Sequence, residues 1–150
     1  MSKIVIIGAG SMGSAFALPC LDNKIDINII GTHLENDFID QLKKNDNLHP
    51  GLKTRIPLEI KIFKFDNFDE LLKSNVDLIV LGISSKGIEW VADQLTRIYR
   101  GGKLPKLLML TKGLSIYNNQ YELLVDKLER LLRDRGIKEA DISAVGGPCL

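Results

Sequence analysis

The sequence predicts an α/β fold: a doubly wound parallel sheet in a single domain, with helices on both faces. Three observations carry this prediction. Apolar runs and amphipathic segments alternate along the chain, the pattern of successive strand–helix–strand units. The first run, Ile4-Val5-Ile6-Ile7, is unbroken rather than alternating, as a strand buried on both faces must be. That run passes directly into Gly8-Ala9-Gly10-Ser11-Met12-Gly13 and then an apolar helical segment, which brings bare backbone to the end of a buried strand.

Taken in order, the predicted strands cover 3–8, 27–31, 59–64, 77–83, 106–111 and 141–146. The predicted helices cover 11–23, 34–44, 68–74, 87–99 and 119–135. Pro19 falls inside the first helix, where it removes the hydrogen bond to Ala15 and is expected to kink or loosen it. Segment 45–58 holds two prolines and a glycine with no clear period, and reads as a loop. Asn67 with Glu70 three residues on resembles a capping box for the third helix. Ile88, Val91, Ala92, Leu95 and Ile98 form the buried stripe of the fourth, with Trp90 off that stripe and expected to make a surface or edge contact. In the fifth, Tyr121, Leu124, Val125, Leu128, Leu131 and Leu132 keep helical spacing. Glu129 with Arg133, and Asp126 with Arg130, fall four apart on its wet face, and Gly136 is placed to end it.

Composition narrows the function. The 150 residues are 45% hydrophobic and 26% charged, ordinary for a globular domain with a sizeable core. A net charge of +1 gives no electrostatic case for nucleic acid or a membrane surface. No apolar run approaches the ~20 residues of a membrane helix, and the N-terminus lacks the basic region and cleavage site of a signal peptide. Cys20 and Cys149 show no framework spacing and read as free thiols in a reducing compartment, so a cytoplasmic location is expected. Cys149 has no evident base beside it and reads as a small apolar side chain rather than a nucleophile. No metal site is expected.

In an open parallel sheet, ligands bind beyond the carboxyl ends of the strands, so the residues just after each strand are the candidates. After the first strand, Gly8 permits a tight turn, Gly10 close approach of a diphosphate, and Gly13 helix–strand packing. The helix N-terminus faces the negative charge. Gly8, Gly10, Ser11, Met12 and Gly13 are therefore the candidate cofactor loop. After the second strand come Thr32 and His33. Neither an acid for the ribose 2′-hydroxyl of NAD nor a strong base for the extra phosphate of NADP stands at the strand tip. Glu35 is displaced and equally placed to begin the next helix. NAD is favoured slightly, with NADP not excluded. After the fourth strand, Ser84 and Ser85 either contact cofactor or cap the following helix. After the fifth, Lys112 either polarises a substrate carbonyl oxygen in a wet cleft or lays its stem along the sheet edge with its head solvated. After the sixth comes the turn 146–150, whose backbone amides would face the same cleft as Lys112.

The combination resembles the N-terminal half of the NAD(P)-dependent glycerol-3-phosphate dehydrogenases over nearly the whole chain. The carrying motifs are GAGSMGSA at 8–15, LHPGL at 48–52, VDLIVLGIS at 76–84, TKGL at 111–114 and VGGP at 145–148. At the last of these, Gly146 and Cys149 depart from the family's usual residues. The resemblance implies a Rossmann-like dinucleotide-binding domain spanning 1–150. It implies hydride transfer between a nicotinamide cofactor and glycerol 3-phosphate or dihydroxyacetone phosphate, a small phosphorylated three-carbon substrate. It makes Lys112 the active-site lysine at the C2 oxygen, with Gly147 beside the substrate. It also implies a second, all-helical domain carrying further substrate groups. That domain has no counterpart in these residues, so the isolated chain is expected to bind cofactor and turn over poorly, and to self-associate or pair with a complementary helical-domain chain. Alternative readings are a non-enzymatic, redox-sensing dinucleotide module, or another reductase of the 6-phosphogluconate-dehydrogenase-like group.

Overall fold

The computed structural model describes residues 2–146. In chain order the elements are β1 (Lys3–Ile7), α1 (Ser11–Asp22), β2 (Asp26–Ile30), α2 (Asn36–Lys44), β3 (Leu48–His49), β4 (Thr54–Arg55), β5 (Lys61–Phe63), α3 (Phe68–Lys73), β6 (Leu78–Leu81), α4 (Ile88–Tyr99), β7 (Lys106–Met109), β8 (Leu114–Tyr117), β9 (Gln120–Leu123), α5 (Leu124–Asp134) and β10 (Ile142–Ala144). The six apolar runs form one all-parallel sheet in the order β10-β7-β6-β1-β2-β5. Counting only these six strands along the chain, the order is 3-2-1-4-5-6, which reverses between β1 and β6.

Strand alternation explains why both faces are apolar. Successive side chains point to opposite faces. Val5 and Ile7 therefore join one core with Ile79, Leu81, Leu107 and Met109, under α3, α4 and α5. Ile4 and Ile6 join the other with Ile27, Ile29, Val80 and Ile62, under α1 and α2. Val5, Ile6 and Ile7 are wholly buried. Each contributes about 1.5–3 kcal/mol relative to an exposed side chain.

The helices show which sequence signals governed and which did not. The stripe of α4 is buried as expected at Ile88, Val91, Ala92 and Leu95. Gly136, at φ +100°, ends α5. Its amide bonds the Arg133 carbonyl and that of Ile137 bonds Leu132, so a left-handed glycine closes the last turn twice over. Helix α1 continues through Pro19 to Asp22, and Asn23 secures the turn by donating from Nδ2 to the Pro19 carbonyl at 2.7 Å. The capping box at Asn67 does not form. A 3-10 turn over Phe65–Asn67 leads into α3, and the Asn67 side chain makes no capping bond.

Two further expectations are corrected. The fifth helix starts at Leu124, not 119, because residues 114–123 form an antiparallel hairpin. Asn118 and Asn119 both adopt positive φ, 50° and 61°, the backbone of a two-residue hairpin turn. Tyr121 is therefore an exposed strand residue rather than part of the helical stripe. Arg130 pairs with Glu122 of that hairpin and with Asp134 instead of Asp126, while Glu129–Arg133 forms as expected. Within 45–58, β3 and β4 make a second small hairpin in what reads from sequence as plain loop.

Candidate cofactor and active site

The carboxyl edge of the sheet is closed by a row of backbone hydrogen bonds. Just beyond each strand, an amide donates to a carbonyl at the end of its neighbour: Gly31 to Phe63, Gly8 to Ile30, Gly82 to Ile7, Leu110 to Leu81 and Val145 to Met109, at 2.8–3.1 Å. These bonds fix where each post-strand residue stands. Thr111 adds a side-chain tie, its buried hydroxyl donating to the Ile83 carbonyl at 2.5 Å.

Three glycines make the centre of this edge dense. Gly8 has φ +107°, and a Cβ on it would lie 2.5 Å from the Gly82 carbonyl oxygen. A Cβ on Gly13 would run into the Gly8 carbonyl, and one on Gly82 would lie 2.8 Å from the Gly13 Cα. Gly10 differs: a Cβ there would meet nothing within 4 Å, and its φ of −67° is ordinary. Gly8 and Gly13 are thus glycine because the protein packs against them, whereas the space at Gly10 is open. Helix α1 begins beside that space with no side-chain cap and no acid in its first turn. Its first-turn amides have no partner within the helix. Ser11 and Met12 stand there exposed. This edge fits a dinucleotide diphosphate: open space, free donors and the positive end of a helix coincide.

A second loop supports the first. His49, 2% exposed, contacts the Ala9 carbonyl through Nε2 at 3.1 Å. Gly51 lies so close to Ser11 that a Cβ would overlap the Ser11 hydroxyl. The β3–β4 hairpin is therefore the outer wall of the glycine loop.

Past β2, Thr32 is half-buried and His33 exposed. The His33 ring lies 4.9 Å from the Trp90 ring, which also packs against Phe65 and Phe68. Trp90 thus makes the edge contact expected of it, and in doing so joins the tip of β2 to α4. Glu35 folds back over the same region. Its Oε1 accepts the Ala9 amide at 3.1 Å and its Oε2 the Thr32 amide at 2.7 Å. A residue that sequence spacing leaves displaced is returned to the strand tips by the turn before α2.

Ser84 and Ser85 are exposed after β6, at the point where strand order reverses. Ser84 precedes a 3-10 turn, but its side chain makes no capping bond, so the hydroxyl stays available to a ligand. Lys112 is exposed after β7. It borders a pocket of about 410 Å³ whose walls include Met109, Leu114, Leu123, Ala144 and Gly146. With β6 lying between β1 and β7, the glycine loop and the Lys112 loop stand two strand spacings apart, about 10 Å. That is short enough for one extended ligand to reach both. The hairpin beside Lys112 leaves Leu114, Ile116, Tyr121 and Leu123 exposed. Gly147 and Cys149 lie outside the described residues. Cys20 is a free, buried thiol whose pKa is raised by burial. Among the described residues, no cluster of His, Cys, Asp or Glu is arranged to hold a metal, and no helix is long and apolar enough to cross a membrane.

His49, Gly51 and Gly82 are site residues that sequence reasoning missed. Only the LHPGL motif hinted at the first two. The third fell near the end of the predicted strand 77–83 and carried no side chain to notice.

Strand order and a glycine loop at the reversal point define a Rossmann-like, doubly wound α/β protein. The chain belongs to the family described as NAD-dependent glycerol-3-phosphate dehydrogenase N-terminus, which it matches over residues 3–150. It is 27% identical over 147 residues to the NADP(+)-dependent glycerol-3-phosphate dehydrogenase of Archaeoglobus fulgidus, covering 98% of this chain and 41% of that protein. A glycerol-3-phosphate dehydrogenase of Ehrlichia ruminantium, described as using NAD(P)+, is 30% identical over 115 residues, 76% of this chain and 34% of that one. The crystal structure of glycerol-3-phosphate dehydrogenase from Coxiella burnetii superposes with a TM-score of 0.74 at 19% identity, covering 99% of this chain and 42% of that one. The chain therefore spans well under half the length of these relatives.

Proposed function

We propose that residues 1–150 are the dinucleotide-binding domain of a glycerol-3-phosphate dehydrogenase, taking NAD and acting in the cytoplasm on glycerol 3-phosphate or dihydroxyacetone phosphate. The observation that carries this reading is the open space at Gly10, set between two glycines that the fold itself requires. The diphosphate lies against Gly10 with the first-turn amides at Ser11 and Met12 as donors. Thr32 and His33 border the adenosine side, and Ser84 and Ser85 contact the cofactor where strand order reverses. The nicotinamide ring, when bound, supplies or takes the hydride.

Lys112 stands on the substrate side. Its ammonium, on the rim of a largely apolar pocket, holds the C2 oxygen by a charge-assisted hydrogen bond and favours negative charge developing there. Gly147, outside the described residues, is the second residue that the family resemblance assigns to the substrate side. The remaining substrate groups belong to the helical domain that the family resemblance implies, and the exposed apolar hairpin beside Lys112 is the surface for that domain or for a second copy. Clamping substrate against cofactor supplies about 7–11 kcal/mol of barrier lowering. The 150 residues alone are thus a binding unit with little turnover.

Fluorescence titration of the 150-residue chain with NADH tests this. Saturable binding displaced by 5′-AMP is expected, with negligible NADH oxidation on adding dihydroxyacetone phosphate. No binding, or rapid turnover by this chain alone, contradicts it.

A further inference from the structure

We infer that Glu122 and Arg130 are positioning residues for Lys112: their ion pair fastens the β8–β9 hairpin to α5 and thereby fixes the lysine just ahead of that hairpin. The inference rests on the substrate-side reading of Lys112 above. Lys112 and Gly113 span a short gap between two anchors. On one side the Leu110 amide bonds the Leu81 carbonyl and the Thr111 hydroxyl bonds the Ile83 carbonyl. On the other, Leu114 opens β8 and pairs with Leu123 of β9. Gly113 has φ +132°, a backbone open to glycine, and no side chain to hold it in place. The direction in which the chain leaves Lys112 is therefore set by where the hairpin lies. The hairpin forms its own two-stranded sheet, apart from the six-stranded one. Two strands alone are marginal in water, so the hairpin needs a fastening.

Arg130 supplies it. Ser115 and Glu122 are cross-strand partners. The Glu122 carboxylate accepts the Ser115 hydroxyl at 3.1 Å and a fork from Arg130, with Nε at 2.8 Å and Nη2 at 3.0 Å. The same guanidinium lies 3.8 Å over the Tyr117 ring, so one side chain of α5 holds both strands. The Arg130 and Glu122 side chains are only 24% and 13% exposed, and a sheltered two-point pair holds its geometry better than an open surface pair. Helix α5 is itself seated in the core by Leu124, Leu128 and Leu132. A continuous tie thus runs from the core through Arg130 and Glu122 to the hairpin and Lys112. The hairpin also gives Leu114 and Leu123 to the pocket that Lys112 borders, so losing the pair displaces the ammonium and the wall together. A displacement of about 1 Å at a reacting group is enough to cost about 100-fold in rate.

The test follows isotope-labelled lysine side chains of the 150-residue chain by NMR, with the Lys112 signal assigned by its loss in Lys112→Arg. The variants are Glu122→Gln and Arg130→Met. Glu129→Gln, which breaks the Glu129–Arg133 pair on the same helix, is the control for loss of an ion pair alone. In the wild type with NADH bound, glycerol 3-phosphate should shift the Lys112 signal saturably. In both hairpin variants the Lys112 signal of the free chain should move toward that of a mobile surface lysine. Glycerol 3-phosphate affinity should fall at least tenfold, while NADH affinity stays within twofold of wild type. Glu129→Gln should change neither. A Lys112 signal or a glycerol 3-phosphate affinity unmoved in a variant that keeps a cooperative thermal transition overturns the inference and leaves the reading of Lys112 standing. So does an NADH affinity that falls in step, since the pair would then act on the whole fold. A wild-type Lys112 signal that ignores glycerol 3-phosphate overturns the substrate reading of Lys112, and the inference with it.

Discussion

The His49 ring and the Ala9 carbonyl are joined by a buried hydrogen bond of 3.1 Å, and the other ring nitrogen, Nδ1, accepts the Leu52 amide at 3.2 Å. Since an amide can only donate, Nδ1 carries no proton. Nε2 therefore carries it and donates to Ala9. One neutral tautomer thus holds the β3–β4 hairpin against the glycine loop. Replacing His49 with Ala removes both bonds: the Leu52 amide loses its partner and the Ala9 carbonyl keeps only the Ser14 hydroxyl, which costs about 1–3 kcal/mol before any cavity is counted. Chemical denaturation should report a loss of at least 2 kcal/mol, and NADH affinity should fall severalfold because Ser11 loses the wall at Gly51.

Gly8 and Gly13 should be intolerant of alanine for a reason unrelated to ligand. At Gly8 the left-handed backbone and the Gly82 carbonyl both oppose a Cβ, and at Gly13 the Gly8 carbonyl does. Each substitution should cost 2 kcal/mol or more. At about 2–4 °C per kcal/mol for a chain of this size, the melting temperature should fall by at least 4 °C without any cofactor present. Thermal scans of the two variants decide it.

The Glu122 carboxylate accepts from Arg130 at 2.8 and 3.0 Å and from Ser115. The Arg130 guanidinium, first of all, holds its pKa below the ordinary 4.5. The folded state thus binds this proton less readily than the unfolded state. Its stabilisation is complete above pH 4.5 and is lost as pH falls through the lower folded value. The melting temperature should decline on acidification below pH 4.5, and Glu122→Gln should decline less in that window. Arg130 also lies 3.8 Å over the Tyr117 ring, so the same variant should loosen the β8–β9 hairpin and raise its amide exchange.

Tyr99 behaves in the opposite sense. Burial pushes its pKa up to about 12, and its hydroxyl donates to the Leu72 carbonyl at 2.5 Å. The folded state keeps this proton where the unfolded state, at an ordinary 10, releases it. Stability from this group is full below pH 10 and lost as pH rises toward 12. Tyr99→Phe should show a shallower loss of melting temperature between pH 9.5 and 11.

Much of this architecture was legible in the residues, and the exceptions share a cause. The inner strands β1, β2 and β6 announce themselves because their apolar residues are buried on both faces, whereas the edge strands β5 and β10 are short and partly exposed. Spacing alone starts the fifth helix five residues early, because Tyr121, Leu124 and Val125 also satisfy helical periodicity. The competing signal was Asn118-Asn119, two residues that tolerate left-handed backbone between alternating flanks. The glycine loop and Lys112 could be found from position after a strand. Glu35 could not be assigned, because its role depends on a side chain reversing toward amides from two different loops. His49 stayed hidden because its partner lies 40 residues away.

Binding of NADH to Gly10→Val, compared with the wild-type chain by calorimetry, tests the central claim most directly. Gly10 has ordinary φ and a Cβ there would meet nothing within 4 Å, so the added side chain enters the place assigned to the diphosphate. Gly10 is the N-cap of α1, where Val is less favourable than Gly by about 1 kcal/mol, so the melting temperature should fall by no more than about 4 °C. NADH affinity should fall at least 30-fold. A variant that folds normally and binds NADH as tightly as wild type would contradict the account.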